Sequence, residues 1–268
     1  MFIRNTSLKP VLLSITMLCL LSACGGDSPS GKNIGGGNPP PFAGTIFIAP
    51  DLIQYTDPTS FVGLTYIGQA ERTMLDRRSD KFKKYNAYLF IAAFDDGVEL
   101  EIQVNPEFTL DAAQGHAEKY SRVVGQMPFT LRKGLEDVSI HHGVAPFSGD
   151  KKNIVIHTGQ GEKYIAEDIL AETLIHETVH AMIDKDHSRN TQWNQAQQQD
   201  IAFISTYAES HPFREDLAES FVPYLAVRYK SDRISQELKD TITSTMQHRI
   251  DYFDGLAIEI YPMTESSQ

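Results

Sequence analysis

Apolar positions along the chain fall into three regimes. Residues 11–21 form an almost unbroken apolar run, residues 43–157 carry short and partly alternating runs, and from about residue 160 the apolar positions recur at helical spacing. In the middle regime, residues 88–94 (YLFIAAF) and 98–104 flank Asp95-Asp96-Gly97 and predict a β-hairpin with a glycine-containing loop. Residues 109–126 predict a helix that opens on Thr109 as a cap and stops before Pro128. Residues 138–140 and 153–157 are further strands. Residues 164–184, 191–209, 213–229 and 235–254 all predict helices with apolar faces. Strands first and helices afterwards make an α+β fold, with a mixed sheet in the N-terminal half covered by helices.

The first apolar run is of a different kind. Arg4 and Lys9 precede it without any acid, and it ends in Leu21-Ser22-Ala23-Cys24. It is short for a bilayer span and has the flanks of a secretory signal. Leu-Ser-Ala-Cys resembles the bacterial lipobox, which implies cleavage before Cys24 and lipidation of its sulfur. Gly25 and Gly26 follow, with the acid delayed to Asp27, which points to the outer membrane, on its periplasmic face or at the cell surface. Residues 24–42 then serve as the lipidated cysteine and a Gly/Pro/Ser-rich tether, and residues 43–268 as one domain.

Composition narrows the choice further. The chain has 268 residues, 41% hydrophobic, with a formal charge of -11 that excludes the cationic surplus a nucleic-acid binder needs. Removing residues 1–23 leaves 22 basic against 35 acidic residues and a single cysteine, so no disulfide is expected. Attraction to an anionic membrane surface is not expected either, and the lipid alone would hold the protein there.

The chemistry concentrates at His176-Glu177-Thr178-Val179-His180. Two histidines four apart share one helix face, so both imidazoles can reach one metal ion. Glu177 lies about 100° further round, poorly placed as a ligand but within reach of a water on that ion. Zinc lowers the pKa of such a water toward neutrality, and a carboxylate can take its proton as it attacks a carbonyl. Two histidines and a glutamate on a nearly continuous apolar helix are costly to bury unless something partners them.

A catalytic zinc takes three protein ligands. His187 lies seven residues past His180, and the metzincin positions hold Ile183 and Asp186 instead of Gly and His, so that pattern fails. Asp184, one turn further along the helix, suits an outer or capping role. Downstream, Glu215 and Glu219 are one turn apart on a face that also carries Leu217, Phe221 and Leu225. Two inward like charges repel unless a cation or a proton donor separates them. A zinc at Glu215 and an imidazole N–H at Glu219 would resolve the conflict. The remaining histidines, His116, His141, His142, His157 and His248, lack ligand spacing and read as structural.

At this point HETVH followed by EDLAESF resembles the gluzincin zinc peptidases. It is similar in particular to the anthrax lethal factor group and to the zinc-binding metallopeptidase lipoproteins of bacteria. The resemblance spans residues 154–229. It implies a zincin-like fold, a single Zn2+ ion held by His176, His180 and Glu215, Glu177 as general base, and Glu219 and Asp184 behind the ligand histidines. It places Tyr207, in Ile204-Ser205-Thr206-Tyr207-Ala208, near the tyrosine that faces the developing oxyanion, with His211 as an alternative. Such a donor contributes about 2–4 kcal/mol to the transition state. It also implies that residues 153–157 form an edge strand able to pair with an extended substrate.

The expected function is a membrane-anchored, zinc-dependent endopeptidase acting on peptide or protein substrates as a monomer. Two alternatives stay open: an amidase or peptidase of cell-wall peptides, and a non-catalytic lipoprotein binding module with a structural or vestigial zinc site.

Overall fold

The computed structural model describes residues 37–264. The expected signal segment, Cys24 and most of the tether lie outside the described residues. Among the described residues no helix is long and apolar enough to cross a membrane.

The elements run β1 (Phe61–Asp76), β2 (Lys81–Phe94), β3 (Glu99–Val104), α1 (Leu110–Val124), α2 (Phe129–Arg132), β4 (Asp137–His141), β5 (Ser148–Asp150) and β6 (Asn153–His157). Seven helices follow: α3 (Thr158–Ala166), α4 (Leu170–Met182), α5 (Asp184–His187), α6 (Thr191–Gln199), α7 (Thr206–Ser210), α8 (Asp216–Tyr229) and α9 (Gln236–Asp254). The strands form one mixed sheet in the order β1-β2-β3-β4-β6-β5. β3, β4 and β6 are parallel, and β1, β2 and β5 extend the sheet antiparallel at its two sides. The expected division into a mixed sheet and a helical second half is therefore present.

The predicted hairpin is β2–β3, closed by Phe94 N–H to Val98 O at 3.0 Å, and Gly97 takes the positive φ of 83° that this loop requires. The predicted helix is α1, where the Thr109 hydroxyl accepts from Ala112 N–H. The sequence pattern misses β1 and the first half of β2. This long ribbon is mostly exposed or half-buried along its length, so no apolar run marks it.

Three predicted helices are shorter or divided. The 164–184 stretch breaks at Asp168, which adopts φ 54° while Ile169 N–H closes back on Tyr164 O. The 191–209 stretch breaks at Asp200, whose extended backbone leaves its carboxylate to accept from Arg249. α8 begins at Asp216 rather than residue 213, because the chain at 211–215 is a turn in which both Arg214 N–H and Glu215 N–H donate to His211 O.

The expected edge strand also moves. β6 is flanked on both sides, by β4 and by β5, and the sheet edge beside the helical layer is β5. Lys151 and Lys152, both at positive φ, form the tight turn that folds β5 back onto β6.

The core lies between the sheet and α4. Ile102, Val138, Ile140, Ile154 and Ile156 from the strands, Leu174, Ile175 and Val179 from α4, and Leu217, Phe221 and Leu225 from α8 belong to one buried cluster. Each such side chain contributes about 1.5–3 kcal/mol on burial. α4 is enclosed by the sheet on one side and α8 on the other, so its polar residues need partners inside the protein.

Candidate metal centre

His176 and His180 sit one turn apart on α4, and Glu215 occupies the position just before α8. Packing α8 on α4 brings their polar tips together. His176 Nε2 and His180 Nε2 are 3.2 Å apart, and Glu215 Oε2 lies 3.1 Å from the second and 3.5 Å from the first. Ligand atoms about 2.0–2.1 Å from a tetrahedral ion are roughly 3.3–3.4 Å from one another. The three observed separations bracket that value, and two imidazoles with one carboxylate suit a divalent ion of borderline softness. The three side chains form a group that can hold a metal ion, buried except for one opening at His180.

Electrostatics agree with a site that attracts positive charge. Burial works against a charged His180 ring, but the carboxylates of Asp184 and Glu215 outweigh it and lift its pKa to about 10. Burial opposes protonation of His176 as well, and Glu215 again prevails, so that ring is also raised. Burial tends to raise the Glu215 carboxyl, yet hydrogen bonds from both histidines hold it far below the usual carboxylate range. Both rings therefore favour positive charge at the point where a cation would sit, and a metal bound there would displace their protons.

Neighbouring carboxylates face both rings. Asp184 Oδ2 accepts from His180 Nδ1 at 2.6 Å, which directs Nε2 toward Glu215. Glu219 faces His176, but its Oε1 is 3.7 Å from Nδ1, longer than a hydrogen bond, and that nitrogen has no other partner. His187 lies against Tyr252, with its Nδ1 2.6 Å from Tyr252 Oη.

Glu177 is half-buried, and burial pushes its carboxyl up while the charges of His176 and His180 pull it down. Its carboxylate accepts from the backbone N–H of Gly149 on β5. Gly149 lies so close to α4 that an added Cβ would fall inside the Glu177 carbonyl group. The edge strand and the expected base are thus in direct contact.

Tyr207, on α7, is half-buried beside Glu215, and burial followed by the Glu215 charge pushes its phenol up to about 12. It therefore keeps its proton and can donate. His211 packs its ring on Tyr207 with centroids 5.0 Å apart, and its Nδ1 donates to the Tyr207 carbonyl at 3.2 Å. Of the two expected oxyanion donors, Tyr207 has the contacts to the ligand group.

Sequence reasoning missed Arg214. Its Nε donates to Glu215 Oε1 at 2.7 Å and its Nη2 lies 3.4 Å from Tyr207 Oη, while the side chain stays 65% exposed. It occupies the carboxylate oxygen that faces away from the histidines, leaving Oε2 for a metal. Adjacency to Glu215 is the only signal the sequence carries, and a lone arginine in a polar turn is easily passed over.

The other histidines have contacts of their own. His141 and His157 stack between the strands at 5.2 Å, His116 and His142 pack on Phe108, and His248 bonds Asp200.

No protein-family model, no curated protein and no solved structure matches the chain.

Proposed function

We propose that the protein is a zinc-dependent peptidase of zincin type, with His176, His180 and Glu215 as the zinc ligands. The observation that carries this reading is the convergence of three ligand atoms, each 3.1–3.5 Å from the next, from an HExxH helix and a second helix 35 residues on. Zinc supplies a Lewis acid for the scissile carbonyl and lowers the pKa of an attacking water.

The chain's own residues do the rest. Glu177, raised by burial and held by Gly149 N–H, is suited to take a proton from an attacking water and return it to the leaving amine. Tyr207 keeps its hydroxyl proton and donates to the developing oxyanion, with the Arg214 guanidinium adding positive charge beside it. Asp184 holds His180 in one tautomer. β5 is the last strand of the sheet and lies beside Glu177, and our reading is that an extended peptide would align along it. An anchored protein with this site would act on peptides or proteins at the outer membrane.

The test is Glu177→Gln. The variant is expected to keep near-stoichiometric zinc and lose peptide hydrolysis in a peptide-library assay. Full peptidase activity in that variant would overturn the mechanism.

A further inference from the structure

The chain at the end of the expected tether reaches the metal centre from outside both of its helices. Phe42 pairs with Ser205 as an isolated parallel bridge. Thr206 N–H donates to Phe42 O at 2.9 Å and Tyr207 N–H to Ala43 O at 3.2 Å. Three residues past Phe42, Thr45 N–H donates to Glu219 Oε2 at 2.9 Å. The same oxygen accepts the Ser205 hydroxyl at 2.5 Å. Thr45, Ser205 and Glu219 are all fully buried, so water does not compete for these bonds.

Two donors on Oε2 fix a side chain that otherwise rotates about three bonds. They leave Oε1 as the oxygen turned to His176 Nδ1, at 3.7 Å, and that nitrogen has no other hydrogen-bond partner. A histidine that binds metal through Nε2 carries its proton on Nδ1, and an acceptor there orients the ring and raises its basicity. A small approach of His176 closes the gap. Glu219 is thus aimed by two donors, one of them a backbone amide of the N-terminal arm.

We propose that residues 42–45 are a working part of the metal centre: the docked arm positions Glu219 to orient His176, so arm docking and metal binding are coupled. This rests on the reading of His176, His180 and Glu215 as metal ligands. Coupling of this kind is reciprocal, so metal should tighten the arm as much as the arm favours metal. Residues 42–45 begin at the last residue of the expected membrane tether, so anchorage and the site share one segment of chain. Thr45 and Ser205 act through Glu219 and are positioning residues.

The experiment uses the mature chain and zinc alone. Ser205→Ala and Thr45→Pro each remove one donor to Glu219, and Ser205→Thr keeps the hydroxyl. Ser205 also caps α7 through Ala208 N–H, so thermal melts and circular dichroism record that separate effect. In chelator competition the two donor-removing variants should bind zinc about 10–100-fold more weakly than wild type, with Ser205→Thr restored to near wild type. Independently of any variant, zinc should slow hydrogen exchange at the wild-type Thr45 amide. Folded Ser205→Ala and Thr45→Pro proteins that bind zinc within about twofold of wild type would overturn the coupling, as would Thr45 exchange unchanged by zinc. If Thr45→Pro does not fold, Ser205→Ala and the exchange measurement decide. A wild-type chain that takes up no zinc removes the metal centre itself, and the coupling with it.

Discussion

The His180 imidazole and the Asp184 carboxylate meet at 2.6 Å across the point where α4 gives way to α5. The two residues are four apart, the spacing at which side chains on successive turns meet, and Ile183 between them keeps a helical backbone at φ -112° and ψ -34°. Asp184, the first residue of α5, thus stands over the His180 ring. Asp184→Ala should weaken zinc binding about 10–100-fold without unfolding the protein. Isothermal titration against a chelator of known affinity checks this.

Tyr207 donates its hydroxyl only if the phenol stays protonated, and its surroundings push it up to about 12. Tyr207→Phe should therefore lower kcat by about 10²–10³-fold, with KM and zinc content nearly unchanged. Steady-state kinetics on any cleaved peptide separates the two constants. An equal loss in His211→Ala, with Tyr207→Phe unaffected, would assign the oxyanion donor to the other residue.

The contact between β5 and α4 tolerates no side chain at residue 149. An added Cβ would meet backbone atoms of Glu177 and Ala181, which cannot rotate away. Gly149→Ala should destabilise the fold by about 3 kcal/mol, the upper range for overpacking, and displace Glu177. Urea denaturation gives the first effect, and hydrolysis by the fraction still folded gives the second.

Acid stability should be set in part by His141, which is fully buried, accepts from the Asn105 amide at 3.0 Å and is held down at about 4, chiefly by burial. The unfolded chain takes up a proton below about pH 6.5, which the folded protein refuses until about pH 4. Stability from this group is therefore complete above pH 6.5 and is lost as pH falls through that window, by on the order of 3 kcal/mol. Glu172, raised to about 7 by burial, acts oppositely: its contribution falls as pH rises from about 4.5 to 7. The His141→Gln variant isolates the first effect. Its stability should change less between pH 7 and 4 than that of wild type, in melts of the metal-free protein.

What the sequence makes legible is what depends on side-chain spacing along one element. His176 and His180 are four apart on a buried helix, and Glu215 and Glu219 are four apart at the start of another, so both halves of the site show in the residue order. The hairpin at Asp95-Asp96-Gly97 and the cap at Thr109 are equally local. The ribbon β1–β2 is not legible, because its faces are too exposed to leave an apolar run. Nor is the break at Asp168, which owes its left-handed backbone to the tertiary setting and accepts from Asp51 N–H. The third kind of gap is at the site itself. Thr45 reaches Glu219 through its backbone amide, and an amide has no residue type to recognise.

The central claim is that His176, His180 and Glu215 hold one zinc ion. Native mass spectrometry with metal quantification, on wild type and on His180→Ala and Glu215→Ala, tests it most directly. The account predicts one zinc per wild-type chain, none in His180→Ala and a strongly weakened site in Glu215→Ala. A wild-type protein that stays metal-free in excess zinc, or a Glu215→Ala variant that binds zinc as tightly as wild type, would contradict it.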